Sequence, residues 1–91
     1  MIDVTQTGTD DPAEFEVRID SGSGQTTHRV TVASETRAAL APQAEPAELV
    51  RASFEFLLER EPAEAIMTRF DLTVIVRYFP EFDSEIGTYL R

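Results

Sequence analysis

Apolar and polar residues alternate strictly over residues 13–20. Phe15, Val17 and Ile19 point one way, and Glu14, Glu16, Arg18 and Asp20 the other, the period-two pattern of a half-buried strand. Ser21-Gly22-Ser23-Gly24 supplies turn residues, and the alternation resumes with His28, Val30 and Val32 against Thr27, Arg29 and Thr31. Residues 13–32 therefore predict an antiparallel β-hairpin with one wet face. Ile2–Thr5 is a candidate third, edge strand, and residues 6–12 have the composition of a loop.

The period changes after residue 33. Ser34 is placed to cap a short helix through Leu40, which the Pro42 region ends. Pro46 is well placed as a first helical residue. Behind it, Ala47, Val50, Phe54, Leu57 and Leu58 fall within one arc of about 100°. Leu49, Ala52 and Phe56 form a second apolar group almost opposite, while Glu48, Arg51, Glu55 and Glu59 make the polar sector. A helix apolar on two sides is either central to its fold or presents its second side to a partner.

Pro62 breaks this helix and opens the next segment, where Ala63, Ile66, Met67 and Phe70 share one helical side. Leu72 to Phe79 is ambiguous. Leu72, Ile75, Val76 and Phe79 have helical spacing, whereas Thr73-Val74-Ile75-Val76 is a β-branched run that favours a strand. The flanks decide for helix, with Asp71 as its cap and Pro80 as its stop. Phe82, Ile86, Tyr89 and Leu90 mark a last amphipathic segment, weakened by Gly87. The expected fold is α+β: an N-terminal antiparallel hairpin, extended to three strands if residues 2–5 join it, followed by three to four short helices packed on it. At 91 residues it forms one small domain, with 1–12 as a partly flexible segment, 13–32 as the hairpin and 34–91 as the helical part.

Composition narrows the chemistry. The chain has no cysteine, which excludes disulfides, thiolate metal sites and cysteine nucleophiles. All eight basic residues are arginine, so P-loop and Schiff-base chemistry are excluded with the missing lysine. Net charge is −9 and is spread evenly: eight acids and three arginines over residues 1–45, nine and five over 46–91. Such a surface disfavours nucleic acid or an anionic membrane as partner. Leu72–Phe79, with one arginine and a mostly apolar surface, is also a poor recognition helix. Adaptation to concentrated salt and GC-rich codon usage both account for an acidic chain without lysine or asparagine. Neither a basic leader nor an apolar stretch of about 20 residues is present, so a cytoplasmic location is expected.

Catalytic signals are weak. His28 is the single histidine and lies on the apolar side of its strand, where a satisfied structural histidine is the ordinary case. No G-x-S-x-G elbow occurs. Asp10 with Asp11, and Glu81 with Asp83 and Glu85, are carboxylate groups without the spacing of a calcium loop. No catalytic, cofactor or metal residue is assigned, and the chain is expected to be non-catalytic.

Seven of the eight aromatic residues lie after residue 53. Two-faced apolar segments at 46–60 and 72–79 offer more apolar surface than one small core needs, and surplus apolar area marks an interface. Leu49, Phe56, Val74, Tyr78 and Phe82 are the candidate interface residues. The expected function is a protein–protein interaction module that binds another protein or itself through its C-terminal helical surface. A charge placed at Phe56 or Tyr78 should weaken association and leave the fold intact. The alternative is a small-ligand binder or enzyme that uses carboxylates and His28 in a cleft between hairpin and helices.

The strings FEFLLEREP (54–62) and FDLTVIVRYFPEF (70–82) resemble a group of small bacterial proteins of about 90 residues, in which FLLEREP and FDLxxIxxYFPE recur. The resemblance covers the last half of the chain. The group has no assigned activity, cofactor or site, so the resemblance implies none here.

Overall fold

A computed structural model describes residues 1–22 and 24–90; Ser23, third residue of the expected hairpin turn, and Arg91 lie outside the described residues. Strands β1 (Ile2–Gly8), β2 (Ala13–Asp20) and β3 (Gln25–Val32) form an antiparallel meander. The register sets Phe15 opposite Val30 and Val17 opposite His28, so the apolar positions of both strands share one face. Glu16 lies on the wet face, where it pairs with Arg18 at 3.3 Å and with Arg29 at 3.5 Å. Gly22 takes the left-handed backbone (φ 80°) that the β2–β3 turn requires. β1 runs to Gly8, beyond the expected Thr5, and takes in part of the expected loop at 6–12: pairing with β2 bonds every second residue of β1 whatever its side chain.

Helix α1 (Ser34–Leu40) follows directly. Ser34 is its first residue rather than its cap. It donates its backbone N–H and its hydroxyl to Asp11, at 2.9 and 2.7 Å, and so ties the β1–β2 connection to the helix start. Arg37 holds the next connection through the Pro42 and Ala44 carbonyls. Helix α2 (Pro46–Leu58) begins at Pro46 as expected, under a reciprocal capping box between Glu45 and Glu48.

After Pro62 the expected helix does not form. A single 3-10 turn, Ala63–Ala65, leads to a short strand β4 (Arg69–Asp71), parallel to β3 with Phe70 beside Val30. The free edge of β3 decides this against the local helical spacing. Arg29 donates to the Thr68 carbonyl at 2.8 Å and Leu72 to the Thr31 carbonyl at 2.9 Å, satisfying backbone groups that a helix would leave unpaired. Helices α3 (Thr73–Tyr78) and α4 (Phe82–Glu85) and a final 3-10 turn (Ile86–Tyr89) complete the chain. The fold is α+β with a four-stranded mixed sheet in the order β1-β2-β3-β4.

Both apolar sides of α2 are covered. Phe54 stacks against His28 and Phe70 on the sheet side. On the other, Phe56 meets Phe79, Phe82 and Tyr89 edge to face, at 5.8, 5.0 and 5.8 Å. Burying Phe54, Phe56 and Phe82 contributes roughly 1.5–3 kcal/mol each, so α2 is the centre of the core.

Candidate functional site

The end of β4 and helix α3 enclose an apolar groove of about 280 Å³. One wall is Met67, at the entry to β4. His28 fixes its backbone: Nδ1 lies 2.8 Å from the Met67 carbonyl, which only accepts, so Nδ1 carries the proton. In the neutral ring Nε2 then accepts from the Thr26 hydroxyl at 2.9 Å. The imidazole is buried and both nitrogens are occupied, as for a structural histidine.

The opposite wall is α3, which presents Val74 and Tyr78 one turn apart, with Leu57, Ile66 and Phe70 beneath and Glu61 on the rim. Asp71 shapes the corner between β4 and α3. Its carboxylate accepts from the Thr31 and Thr73 hydroxyls, both at 2.6 Å, and from the Thr73 N–H at 3.1 Å. It thus does the capping work expected of it, from the position before the helix cap Leu72. Partial burial pushes this carboxyl up, but the bonds from Thr31 and Thr73 outweigh that and hold it below the ordinary value. Asp11 is also held low, by the backbone N–H of Ser34 first and its hydroxyl second.

Both shifts act in one direction on stability. A carboxyl whose folded pKa is depressed stabilises the fold above its unfolded pKa, and the contribution is lost as pH falls through the folded value. Stability should therefore fall from about pH 4 downward. Acid titration followed by circular dichroism should show a shallower fall for Asp71→Asn and for Asp11→Asn than for the parent.

The five expected interface residues do not share a surface. Val74 is half-buried and Tyr78 is exposed, and both line the groove. Leu49, Phe56 and Phe82 are fully buried. Phe56 and Phe82 lie inside because the C-terminal segment folds back over the second side of α2, and Arg60 locks it there. The guanidinium lies 3.6 Å from the Phe56 ring centroid. It donates to Glu81 at 3.2 Å, Glu85 at 2.9 Å and the Phe56 carbonyl at 3.0 Å. Glu81 and Glu85, considered above as cation ligands, thus have a protein cation instead. Arg60 and Glu81 belong to the two strings quoted above, and this pair joins them.

Met67, Phe70, Ile66 and Leu57 complete the groove; their helical spacing assigns them to the core sides of helices and not to the interface. No local signal marks Met67 as exposed, because its exposure depends on where β4 docks. A second, open groove of about 1140 Å³ runs along the polar side of α2, with Glu48, Arg51, Glu55 and Glu59 on one wall and Tyr89 and Leu90 opposite. His28 lines neither groove, so a shared carboxylate–histidine cleft is not formed at either. Among the described residues no cluster of three or more His, Asp or Glu is placed to hold a metal ion, and no helix is long and apolar enough to cross a membrane. No protein-family model, curated protein or solved structure matches this chain.

Proposed function

We propose that this chain is a non-catalytic protein–protein interaction module that docks an apolar side chain of a partner protein in the groove between Met67 and Tyr78. One observation carries this. Tyr78 is 69% and Met67 43% exposed, and these two large hydrophobic residues border the same groove. An aromatic ring with a polar tip beside a flexible thioether is a surface that tightens around an inserted side chain. The volume of about 280 Å³ suits one or two large apolar side chains. Glu61 on the rim favours a partner that carries a cation next to its apolar anchor.

Tagged parent, Tyr78→Glu, Met67→Glu and Glu55→Gln proteins, used as baits in lysate and read by mass spectrometry, test this assignment. The expected result is one protein retained by the parent and by Glu55→Gln, and reduced at least tenfold by either groove variant at unchanged near-UV circular dichroism. A partner retained equally by all four would overturn the groove assignment. Retention lost only with Glu55→Gln would move the site to the acidic groove along α2.

A further inference from the structure

We propose that the free edge of β1 pairs with β1 of a second copy of this chain, joining two sheets into one across a two-fold axis. The pairing of β1 with β2 shows which backbone groups are free. Met1 and Asp20 exchange both hydrogen bonds, N to O at 3.0 Å in each direction, so theirs is a hydrogen-bonded pair. Such pairs alternate along an antiparallel ladder. Asp3 opposite Arg18 and Thr5 opposite Glu16 are therefore bonded inward, while Ile2, Val4 and Gln6 turn N–H and C=O away from β2. β1 is the outermost strand, and among the described residues nothing else pairs with those outward groups.

The edge has few of the usual defences against pairing. Residues 2–7 contain no proline, lysine or arginine, and the irregularity in register begins only after Gln6. Its one charge, Asp3, selects the register. Centring the two-fold on Asp3 would set two carboxylates face to face. Centring it on Val4 sets Asp3 against Thr5 of the second copy, Ile2 against Gln6, and Val4 against Val4. This register uses the outward groups of all three residues in about six hydrogen bonds. It also continues the face carrying the half-buried Ile2 and Val4 side chains from one sheet into the next. A second copy supplies this complementarity with no new sequence requirement, since a two-fold contact needs only a strand that matches itself.

Two consequences follow from charge and topology. Each copy carries −9, so pairing is opposed at low ionic strength and favoured when molar salt shortens the Debye length to about 3 Å. The apolar groove lies against β4, at the opposite edge of the sheet, so the dimer leaves both copies' grooves open and binds its partner twice.

Val4→Pro tests this cleanly, because the Val4 N–H points outward and its loss takes no bond from the β1–β2 ladder. Sedimentation equilibrium in 1 M KCl should give a dimer for the parent and a dissociation constant at least tenfold weaker for Val4→Pro, with unchanged far-UV circular dichroism showing that the variant is folded. A parent monomeric at 1 mM chain in 1 M KCl, or a folded Val4→Pro as dimeric as the parent, would overturn the proposal. Amide hydrogen exchange of the parent is independent of any variant. In 1 M KCl the Ile2, Val4 and Gln6 amides should slow as chain concentration rises, while those of Asp3 and Thr5 stay protected throughout. Unchanged exchange at all three would contradict edge pairing. So would protection gained only when the groove's captured partner is added, which would assign the edge to that partner's strand.

Discussion

Phe56→Ala should cost about 3–5 kcal/mol of stability, and Phe56→Glu should leave the chain unfolded. The ring is fully buried and meets Phe79, Phe82 and Tyr89 edge to face, with the Arg60 guanidinium over one side. Truncation removes the ring's own burial and strands four neighbours around a void that a helix centre cannot close. Whole domains are stable by only about 5–15 kcal/mol, so this one change consumes a large part of the margin. Urea unfolding by far-UV circular dichroism measures it. Tyr78→Ala, at an exposed site on α3, should stay within about 0.5 kcal/mol in the same experiment. The contrast separates the two aromatic residues that the sequence presented as equivalent surface candidates.

The second large effect is expected at Arg60. Arg60→Ala should lose about 1–3 kcal/mol, and Arg60→Lys should recover less than half of it. One planar fork donates to Glu81, Glu85 and the Phe56 carbonyl while its face covers the Phe56 ring. An ammonium group is a single point charge and cannot meet those acceptors together. The side chain is 21% exposed, so its ion pairs weaken in salt, whereas the bond to the Phe56 carbonyl and the ring contact are far less affected. Denaturation in 0.1 and 1 M KCl should therefore show a smaller, but not vanishing, Arg60→Ala deficit at the higher salt.

Much of the architecture is legible in local patterns. The alternation at 13–20 and 27–32 yields β2 and β3 in their observed pairing, and Pro46 marks the start of α2. Asp71 and Pro80 resolve the ambiguous run at 72–79 as α3, with the Asp71 carboxylate bonding the Thr73 N–H. Strand β4 has no comparable signature. Three residues are too short for a period, and β4 exists because β3 offers a free edge about 40 residues earlier in the chain. Burial on the second side of α2 is illegible in the sequence for the same physical reason. The two-sided apolar pattern of α2 correctly marks a helix with two buried faces, but its second cover is the chain's own C-terminal segment, held by Arg60 to side chains 21 and 25 residues away. No local pattern reports a contact over that distance. Val74 and Tyr78 stay accessible because that segment runs over Phe56 and leaves the outer side of α3 uncovered.

The most direct test of docking in the Met67–Tyr78 groove is site-specific photocross-linking. A benzophenone amino acid is incorporated in turn at Tyr78, Met67 and Glu55, and adducts formed in lysate are identified by mass spectrometry. The groove predicts one shared protein adduct from positions 78 and 67 and none from position 55, on the outward side of α2. No adduct from either groove position, or an equal yield from position 55, would contradict it.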